Sequence, residues 1–286
     1  PTSTEELSSP ESISGNEAAS ALNGLSVLAA NGEAEVTTAS ELTGALADSS
    51  ISRITLKGDI DIGSTLTVNR TVTLDLNGCV LKMTGSDSVI KVEADGDLTI
   101  QDRNTTTQHK FNPHCKYLTW YIDMWELDNG GSEIVSGGVI TGGGGDQSNG
   151  GGVLVAGGTL VMAGGSIVGC SAMSRGGGVC NNGTFIMSDG MIKGCTSPDG
   201  QYASGGGVRN SNQFTMTGGM IGDPDNENDA SHVYNTSSQE TTLTISGNAK
   251  IYTDITNVGI LNADGGEIAG TMTNDTNRYG TGTITG

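Results

Sequence analysis

Oxygen donors occupy every second position of Asp223-Pro-Asp225-Asn-Glu227-Asn-Asp229. Carboxylates at that spacing can turn toward a common point, where a hard cation such as calcium would accept them. The central glycine and distal bidentate glutamate of a helix–loop–helix calcium site are missing, and the competing reading is a solvated acidic loop. Asp223, Asp225, Glu227 and Asp229 are therefore the candidate metal ligands. Calcium is the one ion the sequence suggests, and no other cofactor is called for.

A second constellation is aromatic. Residues 101–132 hold both tryptophans, Tyr117, Tyr121, Phe111, His109, His114 and Cys115, in a chain that is only 4% aromatic. Exposed rings in a polar surround mark binding surfaces. Tyr117, Trp120, Tyr121 and Trp125 are thus the candidate platform for a sugar or a protein surface. The alternative is a small satellite core, with the rings packed onto the side of the main body.

Acid–base chemistry has less support. A glycoside hydrolase needs paired acids on one face, and a polysaccharide lyase needs an Arg or Lys base near a calcium-holding carboxylate cluster. The clear repeats contain Arg175, Lys193 and Arg209, of which Arg175 and Arg209 flank Gly-Gly-Gly turns. Asp189 aligns with Gly164 and Gly218, as a turn residue would. No catalytic residue is assigned. Cys170 and Cys195 hold equivalent repeat positions and could form a disulfide or stack as reduced thiols, the latter being favoured, while Cys79, Cys115 and Cys180 lack metal-type spacing. The glycine runs lack the helix and Lys-Ser/Thr of a phosphate loop.

These residues hang on a repeat. Gly-Gly-Gly-Val opens at Gly150, Gly176 and Gly205, 26 and 29 residues apart. A period of that length means one unit stacked on copies of itself. Aligning the copies gives four columns: Val153, Val179 and Val208; Leu160, Phe185 and Phe214; Met162, Met187 and Met216; Ile167, Ile192 and Ile221. Apolar residues alternate along short runs between glycines, which predicts strands rather than helices. Val135–Ile140, Leu243–Ile251 and Ala263–Ile268 extend the pattern, and shorter strand-like runs precede it from Ile54.

The predicted fold is all-β: a single-stranded, right-handed parallel β-helix, or solenoid, over residues 36–286. The aromatic-rich stretch 101–132 is an excursion from it, with a hairpin through Tyr117–Leu127. Thr38-Ala-Ser-Glu41 is a capping box, and Leu42, Ala45 and Leu46 share one helical face, so a short N-terminal helix should cover the first turn of the solenoid. Residues 1–35 are rich in Ser, Glu, Ala, Thr and Asn and are expected to form a flexible leader. The chain lacks an initiator Met and stops in mid-pattern, as a piece of a longer protein would.

Thirteen basic residues against 32 acidic ones give a net charge of −19. That opposes nucleic acid and anionic membranes as partners, and no apolar run is long enough for a transmembrane helix.

Val36-Thr-Thr-Ala-Ser-Glu-Leu, Ile54-Thr-Leu-Lys-Gly-Asp-Ile-Asp-Ile62 and Val72-Thr-Leu-Asp-Leu-Asn-Gly78 together resemble the opening of pectin-lyase-like right-handed β-helices. The Gly-Gly-Gly-Val units and Gly183-Thr-Phe-Ile-Met-Ser-Asp-Gly-Met-Ile-Lys-Gly-Cys195 resemble those of large cell-surface proteins of gut Gram-positive bacteria. The resemblance implies an extracellular chain, secreted or wall-attached. The Asn-Thr-Asp and Arg-Ile-Lys motifs of β-helix pectinases do not occur. The expected role is therefore non-catalytic: an adhesin or binding module for a glycan or for a host or bacterial surface protein. A polysaccharide lyase or glycoside hydrolase is the alternative, and a structural stalk is a third.

Overall fold

A computed structural model describes residues 32–116, 123–144, 149–197, 205–226, 229–236, 240–274 and 283–285. Within them the chain is all-β with one helix. Its parallel strands run in three rows. The first row holds, in spatial order, Glu33–Val36, Arg53–Leu56, Thr71–Asp75, Asp97–Gln101, Thr159–Val168, Thr184–Lys193, Gln213–Met216, Thr242–Ile251, Ile260–Ile268 and Thr283–Thr285. The second begins with Ile60–Ile62, Val80–Met83 and Val139–Thr141, then continues through the distal halves of the long first-row strands. The third runs from Leu66–Val68 through Ile90–Val92, Val153–Val155, Val179–Asn181, Val208–Asn210, Val233–Asn235 and Ile255–Asn257 to Met272–Asn274. Each repeat contributes one strand segment to each row.

The aligned columns are strand registers. Val153 pairs with Val179, which pairs with Val208. Leu160, Phe185 and Phe214 lie side by side, as do Met162, Met187 and Met216. Ile167, Ile192 and Ile221 complete the set. All are essentially inaccessible to solvent and belong to one continuous core. The Phe185 and Phe214 rings stack with centroids 4.5 Å apart. Backbone spacing lets like stack on like, so one apolar choice satisfies two interfaces at once. The triple glycines are corners: a Cβ on Gly177 would strike the Thr196 and Gly206 carbonyls of the adjoining turns.

A ladder of asparagines runs inside the third row. Asn181 donates through Nδ2 to Asn210 Oδ1 at 2.8 Å, Asn210 to Asn235 at 2.8 Å, Asn235 to Asn257 at 2.7 Å and Asn257 to Asn274 at 3.0 Å. The first four side chains are fully buried. Each amide also serves backbone groups at the turn, as when Asn181 donates to Gln213 O and accepts from Gly183 N–H. Buried amides are tolerated because every donor and acceptor is matched.

The helix, α1 (Ala39–Ala47), has the expected capping box between Thr38 and Glu41, and Leu42, Ala45 and Leu46 are its buried face. Its C-terminal carbonyls are held by Arg70, whose guanidinium donates to Ala45 O, Leu46 O and Ile51 O. The strand Glu33–Val36, inside the stretch assigned to the leader, pairs with Arg53–Leu56.

The excursion is a three-stranded antiparallel sheet, Gln108–Lys116 flanked by Asp123–Leu127 and Glu133–Ser136. It leaves the body after Gln101 and returns at Val139. Its boundary extends past residue 132, because Val135 pairs with His109 instead of continuing the repeat. The glycines Gly137 and Gly138 make the return, and Gly137 adopts φ +87°, open to glycine at no steric cost.

Candidate functional site

Of the aromatic candidates, Tyr117, Trp120 and Tyr121 lie outside the described residues. Trp125 is 1% exposed. It faces inward, forming a second core with Phe111, Val135, Val139 and Val168. Its ring centroid is 6.3 Å from that of Phe111, and Lys193 Nζ sits 4.1 Å from its ring centre. At this position the ring is a packing element that clamps the excursion onto the body.

The acidic loop is built around that same lysine. Asp223 is buried and pairs through Oδ2 with Lys193 Nζ at 3.3 Å, while its Oδ1 accepts from Asp225 N–H. Asp229, also buried, accepts from Gly194 N–H and Ser231 N–H. Ser231 Oγ in turn accepts from Cys195 N–H at 3.0 Å. Asp225 is exposed, and Glu227 lies outside the described residues. Two of the four candidate ligands are thus committed to an internal ammonium and to backbone donors. Among the described residues, no three His, Cys, Asp or Glu side chains are grouped to hold a metal.

Burial raises the Asp229 pKa above its ordinary 3.8, Asp223 adds to the rise, and the hydrogen bonds from Ser231 and Gly194 oppose it. A raised carboxyl favours the folded state while protonated, and that contribution fades as pH climbs through the folded-state value. Asp229→Asn should keep an acceptor for both N–H groups and remove the titration. Wild-type stability should therefore fall more steeply than that of the variant between about pH 4 and pH 7. Urea midpoints measured across that range would show it, and parallel slopes would refute it.

The acids at the neck of the excursion are also spoken for. Asp75, fully buried, pairs with Arg103 and accepts from Asn77 N–H. Asp102 accepts from Gly78 N–H and Gly138 N–H at 2.7 and 2.8 Å. These carboxylates hold the points where the chain departs and returns. Asp189 accepts from Gly190 N–H, but it is not a turn residue: it lies inside the strand Thr184–Lys193, at a register irregularity where it pairs with Ala163.

The outward face of the third row differs in character. Lys91, Leu154, Cys180, Arg209, Tyr234 and Thr256 follow one another across it in register. Arg209 and the exposed Arg175 both act on the Cys180 thiol, whose pKa burial raises and the two guanidiniums pull back. Arg209 is itself lowered, first by burial and then by the charge of Arg175. Arg209 donates to Ser211 Oγ, and neither arginine takes part in an ion pair among the described residues. In a chain of net charge −19, two arginines with no ion pair among the described residues are a local exception. Cys79, Cys170, Cys180 and Cys195 are free thiols.

Residues 33–136 match a family model described as "Putative pectate lyase-like adhesive domain". That stretch spans α1, the first turns of the three rows and the excursion. No curated protein and no solved structure matches the chain. No described helix is long and apolar enough to cross a membrane.

Proposed function

We propose that the chain is a non-catalytic adhesive module displayed outside the cell, secreted or attached to a bacterial surface. We read its three rows as a right-handed parallel β-helix, the hand that parallel strand connections strongly favour. Its partner would be a glycan, or a host or bacterial surface protein, bearing carboxylates. The observation that carries the reading is Arg209 beside Tyr234 on the third row, with the positive charge of Arg175 acting on the same guanidinium from the turn before that row. Guanidiniums match carboxylates in a planar, two-pronged fashion, and an adjacent ring can take the apolar face of a sugar. The matched family description adds support by naming adhesion.

The same description also names a lyase, which keeps the enzymatic alternative in view. Against it, the described buried carboxylates Asp75, Asp223 and Asp229 are occupied by Arg103, Lys193 and backbone donors. The test is titration with acidic and neutral polysaccharides, with and without calcium, alongside an assay for chain cleavage. Acidic polymers should bind without calcium and remain uncut. Arg209→Ala should weaken binding by about 10-fold or more, as loss of a charge-assisted contact does. Cleavage would establish the lyase reading. Equal binding by wild type and variant would remove this face as the site.

A further inference from the structure

Lys193 is poorly served for a buried ammonium. It has three donors to satisfy, yet its one hydrogen-bond acceptor among the described residues is Asp223 Oδ2 at 3.3 Å. Its remaining contact of note is the Trp125 ring. The Lys193 and Asp223 side chains are only 9% and 6% exposed. A buried ion pair recovers its desolvation cost only when further hydrogen bonds complete it, and this one lacks them on the cationic side.

Amine and carboxyl are held in contact, with water largely excluded and a second buried carboxyl, Asp229, on the same loop. We propose that Lys193 and Asp223 condense into an intramolecular amide, a covalent tie between the strand Thr184–Lys193 and the loop of the following repeat. The overall change is balanced without any oxidant or co-reactant: ammonium plus carboxylate gives amide plus one water. Lys193 gives up a proton to Asp223, and the neutral Nζ attacks Asp223 Cγ. The C–N bond forms, the Cγ–Oδ2 bond breaks, and Oδ2 leaves as water carrying two protons. Asp229 carries the proton between nitrogen and leaving oxygen. Asp229 lies near enough to Asp223 for the two carboxyls to act on each other.

The geometry suits the product as well as the reactants. Asp223 Oδ1 accepts from Asp225 N–H at 3.1 Å and would remain as the amide carbonyl, with that bond intact. Two buried charges become one neutral group, which removes the desolvation cost of both. Holding the groups in contact replaces a bimolecular encounter with an intramolecular one. Scarcity of water disfavours the reverse hydrolysis.

The folded chain, once formed and then denatured, should weigh one water less than its sequence mass. Proteolytic mapping should find the peptide containing Lys193 joined to the one containing Asp223. Lys193→Met and Lys193→Arg should both have their full sequence mass, the arginine variant covering the case in which the methionine variant does not fold. A wild-type chain at full mass would overturn the proposal. So would a one-water deficit that persists in Lys193→Arg, since cyclised Asp-Gly pairs such as Asp189-Gly190 also lose water. Cross-linking at the wild-type rate in Asp229→Asn would overturn the role given to Asp229.

Discussion

Asn210→Ala is expected to destabilise the chain by about 4 kcal/mol, read as a lowered urea midpoint with an unchanged slope. Asn210 is the second of five rungs. It accepts from Asn181 and donates to Asn235 Oδ1 at 2.8 Å and to Thr242 O at 3.0 Å. Removing it strands Asn235 Oδ1 in a dry interior and takes its acceptor from Asn212 N–H, at about 1–3 kcal/mol for each orphaned group. It also interrupts a chain of aligned amide dipoles that reinforce one another.

The end of the ladder supplies the control. Asn181 pairs in register with Val155, where the ladder has not yet begun. Asn181→Val should therefore cost less, about 2 kcal/mol, because Gly183 N–H is the group it orphans while Asn210 Oδ1 still accepts from Asn212 N–H. Equal losses at both positions would mean that the amides act singly and not as a ladder.

The core columns were legible in the sequence because stacking repeats the same demand in every turn. Val153, Val179 and Val208 face the same surroundings, so the same residue recurs. The cap was legible for a local reason, since Thr38 and Glu41 satisfy each other within one helical turn. The asparagine ladder carried a signal that the glycine frame obscured. An apolar residue, a variable one and Asn recur in Val179-Cys-Asn181, Val208-Arg-Asn210, Val233-Tyr-Asn235, Ile255-Thr-Asn257 and Met272-Thr-Asn274.

The acidic loop was legible only in part. Its alternating oxygens suggested a cation, but the cation at Asp223 is Lys193, supplied by the preceding repeat. Lys193 stands in a mixed column with Lys82, Thr141 and Val168, so its register position gave no warning that it is buried. Local spacing shows which groups share a loop. It does not show which side chain the next turn places against them. Arg175 and Arg209 stood out in the sequence as flanking Gly-Gly-Gly turns, but 34 positions separate them, and that the charge of one acts on the other was not legible there.

Trp125→Ala should be the most damaging change in the excursion, lowering stability by about 4 kcal/mol. The ring is fully enclosed among Phe111, Val135, Val139 and Val168, and truncation leaves a cavity that a clamped sheet cannot collapse to fill. A Cβ on Gly194 would collide with the Trp125 ring, so that glycine's bareness is part of the same fit. Truncation also removes the roof over Lys193 and admits water to its contact with Asp223. Trp125→Phe should recover part of the loss, since a smaller ring still fills part of the cavity. The two roles open to Trp125 give opposite readouts. A ligand platform would lose affinity and keep its melting temperature. A clamp should lose melting temperature while the folded variant still binds acidic polymer through Arg175 and Arg209. Thermal melts paired with binding measured well below the transition separate them, and the burial of the ring predicts the second result.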